Sequence, residues 1–175
     1  VCVAVSSDKL MNIEAHVWDS GKVISDKSIL VPFKGVKLKS SQVYYWRVRI
    51  WNDEDKVSAW SQINTFATGL LANSDWGNAQ WISMEKDERR VKGIHYQEEE
   101  ALPTQKVGMY KLPQFRKQFR VKDKKISRAF AYVSGLGHFD FYLNGGKVGN
   151  HFLDAGWTLY DKEAFYVSFD ITDLL

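Results

Sequence analysis

The sequence predicts an all-β protein built as two antiparallel β-sandwich modules. Three observations carry that prediction. Almost every periodic segment alternates apolar and polar residues with period two, as half-buried strands do. Aromatic residues make up 14% of the chain, with 7 Trp, 8 Tyr and 10 Phe. Such a composition suits pleated faces, where flat side chains pack. Polar and glycine-bearing turns break the alternating runs into short pieces.

The elements follow in order. The chain opens on an apolar alternation, Val1, Val3 and Val5, and Ser7–Ala15 offers one short helical turn. Trp18-Asp19-Ser20-Gly21-Lys22 reads as a strand running into a turn. Within Val43–Trp51, Tyr44, Trp46, Val48 and Ile50 share one face, and Arg47 and Arg49 occupy the opposite, solvated face. Asp53-Glu54-Asp55-Lys56 is a polar loop, and Thr65-Phe66-Ala67-Thr68-Gly69 is a strand closed by a glycine. Leu71–Gln80 is linker-like, and Trp76 and Trp81 are expected to pin it to a neighbouring surface. In Gln114–Val121, Phe115, Phe119 and Val121 share a strand face. Phe139, Phe141 and Leu143 form another face, as do Phe165, Val167, Phe169 and Ile171. Between those two runs lies Asn144-Gly145, a strong hairpin signal, because these two residue types accept the positive φ of a type I′ turn. The expected organisation is a first module over 1–70, a linker over 71–82, a charged loop over 83–113 and a second module over 114–175.

Composition excludes several function classes. With 24 basic and 21 acidic residues the net charge is +3, too balanced for a dedicated nucleic-acid binder. The basic stretch Arg116, Lys117, Arg120, Lys122, Lys124 and Lys125 reads as a solvated face, and the run Glu98-Glu99-Glu100 as a solvated loop. A single cysteine, Cys2, excludes an intrachain disulfide framework and a multi-Cys zinc site; it is expected to be a small core residue. No apolar run approaches the ~20 residues of a transmembrane helix. Gly135-Leu136-Gly137 and Gly145-Gly146-Lys147-Val148 are too short for nucleotide fingerprints. The chain starts at Val1 and stops at Asp173-Leu174-Leu175 without a turn signal, so a fragment of a longer protein is expected, with exposed apolar edges.

Leu38 stands six residues before Tyr44, which opens the strand containing Trp46 and Val48. This pattern resembles the tyrosine corner of a fibronectin type III or immunoglobulin-like sandwich, whose Tyr hydroxyl bonds back to upstream backbone. Leu38, Tyr44 and Trp46 are therefore structural candidates, as are Asn144 and Gly145 in the second module. Ser58-Ala59-Trp60-Ser61 is similar to the last-strand region of many such modules, with Trp51 and Trp60 as candidate contacts.

The second block runs Phe115–Phe119, Tyr132-Val133-Ser134-Gly135-Leu136-Gly137-His138-Phe139, Tyr142–Gly149, Leu153-Asp154-Ala155-Gly156-Trp157-Thr158-Leu159-Tyr160 and Tyr166–Leu175. This order and spacing resemble the N-terminal β-sandwich module of bacterial α-L-rhamnosidases. Trp18–Val23, Tyr45–Trp51 and Phe66–Leu71 resemble the immunoglobulin-like module that precedes it in those enzymes. The likeness covers most of 1–81 and 114–175. It implies a jelly-roll-like second module, truncated here, and a first module lacking its opening strand.

It also implies a parent inverting glycoside hydrolase that removes terminal α-L-rhamnose, with one carboxylic acid protonating the leaving oxygen and a carboxylate activating water. In the family those acids lie in a downstream (α/α)₆ barrel. No segment here is similar to that barrel, so no catalytic residue, metal or cofactor is carried over. The implied role is a non-catalytic accessory region docked on the barrel, periplasmic or extracellular, with rhamnose-containing glycans as further partners. The competing reading is a free-standing carbohydrate-binding or adhesion module.

Asp154, Trp157 and Tyr160 are the candidate carbohydrate-binding residues. An aromatic ring stacks on sugar C–H bonds and a carboxylate accepts hydroxyl hydrogens. The competing reading is a structural turn with Trp157 packed beneath it. The resemblance brings in relatives whose sandwich binds rhamnose with calcium, but calcium needs ~6–8 oxygen ligands and no Asp/Asn-rich loop supplies them. His138 and His151 flank the hairpin without metal spacing, and its pairing is expected to bring Asp140 near Lys147. Asp140, Asp154 and Asp161 are available carboxylates, but nothing in the sequence sets an acid/base pair.

Overall fold

The computed structural model describes residues 1–12, 16–27, 29–83, 113–122 and 125–175. Residues 84–112, which hold almost all of the expected charged loop, lie outside the described residues. The chain divides into two compact units, Val1–Gly77 with Lys125–Leu175, and Asn78–Lys124.

Among the described residues the first unit holds every regular element, and it is nearly all β. Its strands are β1 (Cys2–Ala4), β2 (Trp18–Asp19), β3 (Val43–Arg47), β4 (Asn64–Ala67), β5 (Phe130–Ser134), β6 (Tyr142–Leu143), β7 (Gly146–Lys147) and β8 (Tyr166–Asp170). One short helix, α1 (Ser7–Met11), and two 3₁₀ turns, Asn73–Trp76 and Thr172–Leu174, complete it. Every strand pair is antiparallel.

In the N-terminal part the strand order is β2-β1-β3-β4. Both faces of this sheet are apolar, which explains the unbroken run Val1–Val5. On one face Cys2 and Ala4 pack with Leu10, Tyr45, Trp60 and Ile63. On the other, Val3 and Tyr44 pack with Val17, Trp18, Leu38, Trp46 and Phe66. Helix α1 delivers Leu10, which is fully buried; Ser6 caps it by accepting the Lys9 amide at 3.4 Å, as Ser does at helix starts. Cys2 is buried, and burial pushes its thiol pKa up. The Lys39 amide donates to the Tyr44 hydroxyl at 2.8 Å, the expected tyrosine corner. After β2, the Gly21 amide donates to Asp19 Oδ1 at 2.8 Å, and Gly21 has φ +60°.

Strand β3 ends before the sequence periodicity does. Beyond Arg47, the Val48 and Ile50 amides donate to the side-chain hydroxyls of Ser61 and Ser58, both at 3.1 Å. The reverse bonds are ordinary: Ser61 N–H to Val48 C=O at 2.8 Å and Ser58 N–H to Ile50 C=O at 2.9 Å. Serine oxygens thus stand in for backbone carbonyls and break the regular ladder while the chain stays extended. The expectation of a solvated Arg47 is wrong: it is only 8% exposed, because Trp60 covers it.

In the C-terminal part β5 pairs with β8, and β6 with β7. Asn144 (φ 51°) and Gly145 (φ 85°) make the tight turn, and Asn144 Nδ2 donates to the Leu174 carbonyl at 2.8 Å. Val148, Phe169 and Ile171 form the core, with Phe139, Phe141, Leu143, Val133 and Val167 packed against them. The alternation at 139–143 therefore faces inward as expected. Phe165 does not: it lies one residue outside β8 and is 52% exposed.

Within the same unit the two β parts meet through side chains. The Tyr166 hydroxyl accepts from the Leu70 amide at 2.8 Å and donates to the Leu70 carbonyl at 3.0 Å. Tyr132 Oη donates to Ser41 Oγ at 2.8 Å. Trp76 meets the Tyr166 ring edge-on at 5.4 Å, so Trp76 does anchor the linker-like stretch.

The second unit contains no regular element among its described residues. The strand expected over 114–121 is absent, and Phe115, Phe119 and Val121 are exposed. Alternation without a hydrogen-bonding neighbour does not make a strand. Trp81 is 65% exposed and does not anchor as expected.

Candidate functional site

The candidate residues sit on the loop that leaves the β6–β7 hairpin. Asp154 fixes its base. Its carbonyl accepts the Phe139 amide at 2.8 Å, and its carboxylate lies 3.2 Å from His151 Nδ1. Ala155 is buried next to it. Beyond that anchor the chain turns outward. Trp157 is 75% exposed and stacks on His138, with ring centroids 5.6 Å apart and planes 27° apart. One indole face is thus covered and the other is open. Trp157 is therefore not packed beneath the turn.

Tyr160 lies at the tip of the next turn, where the Lys162 and Glu163 amides both donate to the Leu159 carbonyl, at 2.8 and 3.1 Å. It is 37% exposed. Among the described residues neither a hydrogen bond nor a ring contact joins Tyr160 to Asp154 or Trp157. The structure therefore pairs Asp154 with His151 and Trp157 with His138, and it leaves Tyr160 apart. Lys147 reaches Asp140 at 2.7 Å, as the hairpin pairing required, and lies over the Phe152 ring at 4.9 Å. Donating to the Asp140 carboxylate raises the Lys147 pKa. Phe152 and Leu153 project beside this pair, 85% and 68% exposed.

Among the described residues no three His, Cys, Asp or Glu side chains gather closely enough to hold a metal ion.

Two further features were not found by sequence reasoning. On the N-terminal sheet, Trp51, Trp60, Arg47 and Arg49 interleave. The Arg47 and Arg49 guanidinium carbons lie 4.4 and 4.5 Å from the Trp60 ring centroid, and Arg49 lies 5.1 Å from Trp51. Lys22 extends the row, 5.9 Å from Trp51, and pairs with Asp55. The signal was available: two arginines at i, i+2 on one strand face, with tryptophans following at 51 and 60. On the opposite face an apolar pocket of about 280 Å³ opens between Val1, Val3, Trp18, Phe33, Trp46 and Phe66. Nothing in the local sequence marks it.

Comparison with known proteins places both β parts. The family described as "Rha78A-like, N-terminal immunoglobulin domain" matches residues 2–72, and the "Alpha-L-rhamnosidase N-terminal domain" family matches residues 124–175. An α-L-rhamnosidase of Formosa agariphila is 39% identical across the whole chain, which spans 18% of that enzyme. An α-L-rhamnosidase of Streptomyces avermitilis is 49% identical over 46% of the chain and 8% of its own length. In solved structures, the α-L-rhamnosidase of Dictyoglumus thermophilum superimposes with a TM-score of 0.80 at 31% identity, over 99% of this chain and 19% of the enzyme. The Aspergillus terreus enzyme gives 0.59 at 26% identity, over 86% and 16%. The chain spans less than a fifth of the length of each.

Proposed function

Because the chain belongs, through both of its β parts, to the N-terminal region of the α-L-rhamnosidase family, we propose that it is the non-catalytic accessory region of such an enzyme. The supporting observation is the alignment of the entire chain with 18% of a rhamnosidase at 39% identity. The parent enzyme hydrolyses terminal α-L-rhamnose with acids outside this segment, and the two β parts support its catalytic domain. It works in the periplasm or outside the cell, where polymeric glycans are met. The test is release of p-nitrophenol from an α-L-rhamnoside by this chain and by a longer form carrying the rest of the reading frame. Activity is expected in the long form alone. Inactivity in both would overturn the reading.

The exposed Trp157 favours a second role within that region, contact with glycan. Trp157 supplies the platform and Asp154 the acceptor, while Tyr160 contributes from the neighbouring turn. Replacing Trp157 with Ala is expected to weaken retention on a rhamnose-containing polysaccharide by about five- to tenfold, the loss of a stacking contact of ~1 kcal/mol or slightly more. Affinity electrophoresis reads this directly, and unchanged mobility would remove Trp157 from the site.

A further inference from the structure

Among the described residues, the Arg47–Trp60–Arg49–Trp51 row holds two guanidinium charges with no ion-pair partner. Arg47 is more than nine-tenths buried and Arg49 is half-buried. Neither guanidinium makes a hydrogen bond or ion pair with a described residue, and the Nε of each is buried without a partner. The indole faces offset part of the cost of holding two cations there. They do not satisfy the N–H groups, which lie in the guanidinium plane, at right angles to the stacking direction. A buried charge without an anion is a costly arrangement.

Stacking also fixes orientation. Arg47 and Arg49 are two residues apart on one extended strand, about 7 Å along it, and their guanidinium carbons lie 4.4 and 4.5 Å from the one Trp60 ring. Both guanidinium groups are thus held at one ring, and Lys22, ion-paired with Asp55, lies beyond Trp51. Two guanidinium groups thus crowd the Trp60 ring. What the row offers is a repeated, forked donor edge suited to carboxylate or sulfate oxygens.

We propose that this row is a second binding site, for a polysaccharide that carries carboxylate or sulfate groups. It lies on the opposite β part from Trp157 and recognises charge rather than ring stacking. The choice of a polysaccharide as the carrier rests on the glycan-facing role proposed above; the anion chemistry does not.

The experiment is affinity electrophoresis of the 175-residue chain at 0.15 M salt in gels containing polygalacturonate, dextran sulfate or neutral dextran. Retention by at least one polyanion, and not by dextran, is expected. Which one retards the chain identifies the group. Arg49→Gln is expected to weaken retention about tenfold, and Arg49→Lys, which keeps the charge but loses the fork, to weaken it nearly as much. Lys162→Gln removes the same charge from an exposed position on the other β part and is expected to leave retention unchanged. Tryptophan fluorescence confirms that each variant is folded; Arg49 is chosen over Arg47 because it is less buried. No retention on either polyanion, equal retention on dextran, or an equal loss in Lys162→Gln would overturn the proposal. A long form that cleaves the rhamnoside while the chain ignores polyanions defeats this site alone. Retention without any rhamnosidase activity defeats the enzyme reading alone.

Discussion

Replacing Phe169 with Ala is expected to unfold the C-terminal β part of the chain. Phe169 is 5% exposed and lies at the centre of a core whose other buried members are Val148 and Ile171. Its ring meets Phe141 at 5.4 Å and His151 at 5.9 Å, and it packs under Gly149, where an added Cβ would lie 3.3 Å from the ring. Truncating a buried Phe costs about 3–5 kcal/mol. That loss falls on a core with few alternatives, because β5–β8 and β6–β7 are both two-stranded, and isolated two-stranded sheets are marginal. The same contacts set the candidate glycan loop. His151 rests on Phe169 and holds Asp154, so loss of the ring frees the base from which Trp157 projects. Hydrogen exchange at Phe130–Ser134 and Tyr166–Asp170 is expected to approach the unprotected rate in the variant, while Val43–Arg47 stays protected. Protection retained over 166–170 would show that this small core is not what holds the region together.

Substituting Gly69 with Ala is expected to break the junction between the two β parts. An added Cβ at Gly69 would overlap the Tyr166 hydroxyl and lie 3.2 Å from its Cζ. The hydroxyl must then leave Leu70, losing both of its bonds to that residue's amide and carbonyl. Steric crowding and the lost hydrogen bonds together amount to about 2–4 kcal/mol. The geometry also predicts non-additivity. In Tyr166→Phe the hydroxyl is already absent, so the remaining contact is tight but tolerable, and the Ala substitution should cost less there. A double-mutant cycle on denaturant midpoints is expected to give a coupling of about 1–2 kcal/mol. Additive effects would mean that the Cβ meets something other than the hydroxyl.

Much of this was legible in the residues. Period-two runs at 139–143 and 167–171 face the core, Asn144-Gly145 turns the hairpin, and Tyr44 closes its corner on the Lys39 amide. In each case local chemistry has one good outcome: an apolar face must leave water, and a positive φ needs Asn or Gly. The failures share a cause as well. Gln114–Val121 alternates as well as any strand here, but alternation states only that a strand could bury one face, not that a partner strand is present. Arg47 was read as solvated because charge normally faces water. It is buried because Trp60, thirteen residues on, folds over it.

The candidate site divides in the same way. Its residue types were visible in the order Asp154, Trp157, Tyr160, and the likeness to a rhamnosidase N-terminal module was visible in the motifs. Which side chains meet was not. Asp154 pairs with His151, three residues away, and Trp157 with His138, nineteen residues away across the hairpin.

The sequence by itself determined the all-β class, the turns and the order of the two β parts, because those depend on neighbours within a few residues. Only the tertiary structure decided that Tyr166 locks onto Leu70, that Trp157 stands exposed, and that two arginines lie against Trp60 with no ion-pair partner among the described residues. Each of those depends on groups distant in the chain arriving at one place, and no local pattern encodes the arrival.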